Sequence, residues 1–215
     1  RPVPGLRDQL LGLVANIASR PGHDLALSID LAGMLVLAGN EEGLAALLAE
    51  APQTPGRDPL RLAGHGPFQT PLMFGSSDKA KAELPVSMFH GPVIPMVDGR
   101  GHIWRRFSSE PGAIWGYTFG HQILAPYDFA LSVQVAVKEF APDVIILPGP
   151  GDTLGGAIAQ SLIGIEWQGI SKTAVVNPAK GERIIAAGGP DKESVDLVGT
   201  FSAKKLEIEP QPISL

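Results

Sequence analysis

Five histidines, His23, His65, His90, His102 and His121, are the side chains of this chain best suited to exchange a proton near neutral pH. None of them is spaced as H-x-x-x-H or H-x-H, and none has a glutamate at zincin distance, so the spacing offers no metal site. A surface or hydrogen-bonded core role is the plainer reading of each. A serine nucleophile held on a strand-to-helix elbow would read G-x-S-x-G, and the chain contains no such pentapeptide. Ser76 and Ser77 follow Gly75, but Asp78 and Lys79 come next and no buried strand precedes them, so they read as a helix N-cap. The segment Gly149–Gly156 stands where a phosphate loop would, after an apolar run and before a helical pattern. It lacks both the third glycine of the dinucleotide fingerprint and a Gly-Lys-Ser/Thr, so a sharp turn fits it better. Trp104-Arg105-Arg106 is a small cationic, aromatic patch that suits either an acidic partner or an exposed loop.

The elements that would position these groups are legible in part. Leu6, Leu10, Leu13, Val14 and Ile17 recur at helical spacing and predict an amphipathic helix over 6–19, stopped by Arg20-Pro21-Gly22. Asp24 to Asp30 alternates strictly, with Leu25, Leu27 and Ile29 opposite Ala26, Ser28 and Asp30, which predicts a strand with one wet face. After the turn Leu31-Ala32-Gly33 comes a second strand, Met34 to Ala38, and Asn40 caps a helix over 41–50. Leu60-Arg61-Leu62 reads as a short third strand. Helix, strand, strand, helix, strand is a ferredoxin-like βαββαβ unit without its first strand, so the chain is expected to begin inside a domain. Further on, Val93 to Val97 forms a short strand ending in the turn Asp98-Gly99-Arg100-Gly101, and Asp128 caps a helix ended by Pro142. Val144 to Leu147 reads as a parallel strand buried on both faces, followed by a helix from about Thr153. Thr173 to Val176 and Arg183 to Ala186 read as a hairpin around Asn177–Gly181, and Glu207 to Leu215 as a loose tail.

Composition narrows the classes. The 215 residues are 44% hydrophobic and 18% charged, which supports a packed core and excludes general disorder. Twenty-six glycines and twenty prolines, with no G-X-Y period, point to many tight turns rather than collagen. A net charge of −5 provides no global field for nucleic acid. No apolar run is long enough to span a membrane, and the first residues carry no signal-peptide pattern. The lack of cysteine excludes thiol catalysis and a disulfide scaffold and fits a reducing, cytoplasmic location.

Three stretches in order resemble the C-terminal half of malonyl-CoA:acyl carrier protein transacylases and related acyltransferase domains. They are Ile29 to Gly33 with Leu35 to Gly39; Gly64-His65-Gly66-Pro67-Phe68-Gln69-Thr70-Pro71-Leu72-Met73; and His121 to Pro126 with Leu147-Pro148-Gly149-Pro150-Gly151. The resemblance implies an α/β fold: an incomplete α/β-hydrolase-like acyltransferase core over 65–165, a ferredoxin-like (α+β) small subdomain over 1–64, and a C-terminal extension over 166–215. It implies acyl transfer by a ping-pong route, in which a serine attacks a malonyl thioester, a histidine acts as base, and the acyl group passes to the phosphopantetheine thiol of acyl carrier protein. Acyl-CoA and acyl carrier protein would be the partners, with no resident cofactor or metal, in fatty acid or polyketide biosynthesis.

Residue by residue, the resemblance exposes two departures. The nucleophilic serine and the arginine that holds the malonyl carboxylate belong to the half of the family with no counterpart here. The position of the family's catalytic histidine, immediately before Thr70, is occupied by Gln69, whose neutral amide cannot accept a proton near pH 7. Gln122 falls where a backbone carbonyl orients that histidine, Ser28 and Asp30 where small polar residues face the acyl cleft, and His65 where many relatives carry a second, non-catalytic histidine. Two functions are therefore expected: acyl transfer by a complete protein, or a catalytically inactive acyltransferase-like protein that binds acyl carrier protein or acyl-CoA.

Overall fold

The computed structural model describes residues 5–53, 59–143, 145–147, 154–169 and 184–186. The chain divides into two compact units, Arg1–Phe140 and Ala141–Leu215.

The first unit opens with α1 (Leu6–Ala18), β1 (Leu25–Asp30), β2 (Leu35–Gly39) and α2 (Glu41–Glu50), as the periodicity predicts. Val14 and Ile17 of α1 pack with Leu25 and Leu47 in one buried cluster, and Leu13, Leu37 and Leu44 flank it. Asn40 caps α2 by accepting the Gly43 N–H (2.9 Å), and its amide donates to the Gly22 carbonyl (2.8 Å), tying the helix start to the loop between α1 and β1. Gly39 and Gly43 admit no side chain, because a Cβ on either would lie 2.1 or 2.2 Å from the Asp24 carbonyl oxygen.

β1 and β2 pair antiparallel, and the register slips between Leu27 and Ile29 so that Ser28 has no partner. This is a β-bulge, and it shifts the inward phase of the strand by one residue. Leu25, Ser28 and Asp30 are therefore buried, whereas Leu27 and Ile29 are only half-buried. The expected wet face of β1 is a covered polar face. The expected strand at Leu60–Leu62 does not form: Leu60 is 83% exposed, and Arg61 instead pairs with Glu41. A three-residue alternation offers too little burial to hold an edge pairing. The third strand of the sheet is β5 (Tyr127–Asp128), which runs parallel to β1 in the order β2-β1-β5.

After the Pro71–Met73 3-10 turn come α3 (Phe74–Glu83) and the hairpin β3 (Met96–Val97) and β4 (Ile103–Trp104). Ser76 and Ser77 lie inside α3 rather than capping it, and the fully buried Ser77 hydroxyl donates to the Phe119 carbonyl. A helical stretch that the glycine-rich sequence conceals follows: α4 (Pro111–Gly116), a π turn (Tyr117–His121) and α5 (Gln122–Leu124). Asp128 then caps α6 (Phe129–Phe140) by accepting the Leu131 N–H (2.7 Å). Trp104 is a core residue, buried with Ile114 and Tyr117.

Asp98 and Gly99, in the hairpin turn, join these parts. One Asp98 carboxylate oxygen accepts the N–H groups of Arg100 (2.9 Å) and His102 (3.1 Å), and the other accepts the Arg100 guanidinium (2.6 Å). The Asp98 carbonyl accepts the Ser132 hydroxyl of α6, and the Gly99 N–H donates to the Tyr117 hydroxyl. A Cβ on Gly99 would lie 2.5 Å from the Tyr127 ring, so the turn needs glycine.

In the second unit, β6 (Ile145–Leu147) pairs parallel with β7 (Ile184–Ala186), and α7 (Leu154–Gly164) buries Ile158, Ala159, Ser161 and Leu162. β7 is a parallel partner of β6; the other arm of the expected hairpin, Thr173 to Val176, falls outside the described residues. Ile146 is 58% exposed, so β6 is not covered on both faces. Residues 148–153, Thr173 to Val176, Asn177–Gly181 and the tail 207–215 lie outside the described residues.

Burial pushes the Asp98 carboxyl up, but the bonds from Arg100 and His102 outweigh it and hold the carboxyl below its ordinary value of 3.8. The folded state therefore holds its proton less tightly than the unfolded chain. Its stabilising effect is complete above pH 3.8 and is lost as pH falls from there through the folded value. Asp98→Asn should cost about 1–3 kcal/mol at neutral pH and flatten this acid limb in urea denaturation measured across a pH series. An unchanged acid limb in the variant would contradict the assignment.

Candidate active site

The segment Gly66–Met73 is shaped by local bonds. Phe68 N–H reaches the Gly66 carbonyl across Pro67 (2.9 Å), and the buried Thr70 hydroxyl donates to the Pro67 carbonyl (2.6 Å). Met73 N–H then closes on the Thr70 carbonyl (3.1 Å) and starts the 3-10 turn into α3. Between these bonds Gln69 is forced into the left-handed region at φ 57°. A non-glycine residue held there costs of order 1–3 kcal/mol, and such strain gathers at functional sites.

The strained residue faces the bulge. The Ser28 hydroxyl donates to Gln69 Oε1 at 2.8 Å, a contact between residues 41 positions apart, and Ser28 is only 2% exposed. Two of the site residues inferred from sequence are thus brought together. Asp30, two positions along β1, is engaged elsewhere: one oxygen accepts Arg7 Nη2 (2.6 Å) and the other the Ala32 N–H (2.9 Å). The hydrogen bond to Asp30 raises the Arg7 pKa further above its ordinary value, and the charges of Asp30, Asp8 and Asp128 add to it. Arg7 of α1, which the sequence analysis does not single out, is therefore part of this polar cluster. Its distance from Asp30 along the chain gave no signal.

The other two candidates are less closely held. His65 is exposed on the loop, and its side chain makes no hydrogen bond among the described residues. Gln122 begins α5, which packs on both the Pro71–Met73 turn and α3, so it stands on an element adjoining the Gln69 turn. No hydrogen bond joins Gln122 to Gln69 among the described residues. Ser28 and Gln69 together present a hydroxyl and an amide, groups that donate and accept hydrogen bonds but take up no proton near neutrality. Among the described residues no group of three His, Cys, Asp or Glu side chains could hold a metal ion. Nor is any helix long and apolar enough to cross a membrane.

No family profile and no curated protein matches the chain. Solved structures do. An acyl-carrier-protein S-malonyltransferase from Burkholderia pseudomallei superposes with a TM-score of 0.61 at 21% identity, covering 72% of this chain and 48% of that one. The S-malonyltransferase from Vibrio cholerae gives 0.60 at 18% identity, covering 85% and 52%. A malonyl-transacylase solved in complex with a type II polyketide synthase acyl-carrier protein gives 0.58 at 21%, covering 72% and 48%. The likeness establishes a shared α/β fold, and the chain spans about half the length of these structures.

If the bond between Ser28 and Gln69 holds the turn on β1, Ser28→Ala should lower stability by about 0.5–1.5 kcal/mol in urea denaturation. Gln69→Gly, which relieves the left-handed strain while losing the same bond, should cost less than Gln69→Ala. Equal costs for the two Gln69 variants would argue against strain at this position.

Proposed function

We propose that this chain belongs to an acyltransferase of the malonyl-CoA:acyl carrier protein transacylase type. The complete protein would pass an acyl group from a CoA thioester to the phosphopantetheine thiol of acyl carrier protein, in the cytoplasm. The observation that carries this reading is the fold shared with malonyltransferases over 72% of the chain, combined with the Gln69 turn lying against β1. On this reading 1–64 is the ferredoxin-like subdomain, 65–165 the C-terminal part of the α/β-hydrolase-like core and 166–215 an extension.

The serine nucleophile and the carboxylate-binding arginine would be supplied outside this chain. Its attack on the thioester carbonyl needs a base to take the hydroxyl proton. Gln69 occupies the base position and cannot do so; its amide and the Ser28 hydroxyl can orient an acyl carbonyl or a thioester oxygen by hydrogen bonding. Gln122 would support the turn through its backbone, Asp30 would fix the strand end through Arg7, and His65 would remain at the rim. No metal or resident cofactor enters this route.

A second reading is favoured by one specific observation: Gln69, which the resemblance puts at the base position, is a neutral amide already bonded to Ser28. A protein of this kind would bind acyl carrier protein or acyl-CoA without turnover.

Malonyl transfer by the complete protein, compared between the native form and Gln69→His, separates the two. General acid–base catalysis is worth about 10²–10⁴ in rate, so the histidine variant should gain on the order of a hundredfold or more. Equal and substantial activity in both forms would show that Gln69 does not disable the site. Absence of transfer in both forms would favour the binding protein.

A further inference from the structure

Between β4 and α4 the chain forms a closed turn that turns two arginines and a phenylalanine outward. Arg105 N–H donates to the Ser109 hydroxyl oxygen (2.7 Å), and Ser109 N–H returns to the Arg105 carbonyl (3.2 Å). The turn stands on a packed base, since the preceding residue, Trp104, is buried with Ile114 and Tyr117. The backbone of Gly91 lies against it, so close that a Cβ there would come within 2.2 Å of the Arg106 carbonyl oxygen. The exposed groups are thus presented by a rigid support.

The charge pattern sets this turn apart. Each of the other described arginines is committed to a carboxylate: Arg7 to Asp30, Arg20 to Glu50, Arg61 to Glu41 and Arg100 to Asp98. Arg105 and Arg106 have no carboxylate within 4.0 Å among the described residues; they lie instead over aromatic rings, Arg105 at 5.6 Å from the Phe140 centroid and Arg106 at 5.3 Å from that of Phe107. Phe107 itself is 93% exposed. A fully presented aromatic beside two guanidinium groups has the make-up of an interface anchor, where arginine pairs with carboxylates through two parallel hydrogen bonds and the ring is desolvated.

We infer that the Arg105–Phe107 turn is a docking surface for the acidic face of a carrier protein. The choice of carrier protein rests on the acyl-transfer reading; the acidity of the partner follows from the uncommitted arginines. Two arginines could neutralise only about two phosphates, too small an electrostatic footprint to hold a nucleic acid.

The test is the affinity of the complete protein for an apo acyl carrier protein, which lacks the phosphopantetheine arm and so reports docking without chemistry. At low salt Arg105→Glu/Arg106→Glu should weaken binding by roughly tenfold or more and abolish most of its salt dependence. Phe107→Ala should weaken it several-fold, with tryptophan fluorescence unchanged in all variants. Binding unaffected by the charge reversal overturns the inference, as does binding of duplex DNA in preference to the carrier protein. In parallel, malonyl transfer to free pantetheine, which has no protein surface, should be the same in wild type and the reversal variant. If pantetheine is never malonylated but the reversal still abolishes carrier binding, the acyl-transfer reading fails and the docking surface stands.

Discussion

The Asp98-Gly99 turn is the constraint on which the first unit depends. Within two residues it closes the β3–β4 hairpin, receives the Ser132 hydroxyl from α6, donates to the Tyr117 hydroxyl in the π turn and, through the Gly99 carbonyl, accepts the Asp128 N–H at the start of α6. Asp128 in turn belongs to β5, the strand that pairs with β1 beside Asp30. A buried carboxylate with its hydrogen bonds satisfied fixes register in a region whose own strands are only two residues long. Neither the hairpin nor β5 could hold its place by strand pairing alone.

That frame sets the stage for the Gln69 turn. The bulge at Ser28 turns a hydroxyl inward, the left-handed backbone at Gln69 turns an amide towards it, and the two meet at 2.8 Å. The π turn adjoins the same region through α3, where Ser77 bonds to the Phe119 carbonyl. Strain, bulge and π turn, three features that cost stability, are thus gathered around one loop. In the proposed acyl-transfer reading, this loop carries the position of the base.

The parts legible in the sequence are those governed by local rules. α1 is marked by apolar spacing, α2 by the Asn40 cap, α6 by Asp128, and the hairpin turn by Asp98-Gly99. What was not legible depends on contacts distant in sequence. Alternation in β1 presupposes regular pairing, so the bulge reversed which side chains are buried beyond it. Gly112, Gly116 and Gly120 disguised the helical stretch from Pro111 to Leu124, which is secured instead by Trp115 bonding to Leu84 and Tyr117 to Gly99. Leu60 and Leu62 looked like a strand because alternation over three residues carries no information about a partner. At the site, residue types identified Gln69 as a departure from the family pattern, but its strain and its bond to a serine 41 residues away required the fold.

In the proposed acyl-transfer reading Gln69 stands where the resemblance places the base, and its amide takes up no proton. The pH dependence of malonyl transfer by the complete native protein addresses this claim directly. A histidine base ionises near pH 6.5, so its activity falls away below that pH. The expected result is a rate with no such inflection and a slow, nearly level profile through that range. A fall in rate on acidification through pH 6–7 would contradict it, because another group, His65 foremost, would then be serving as the base.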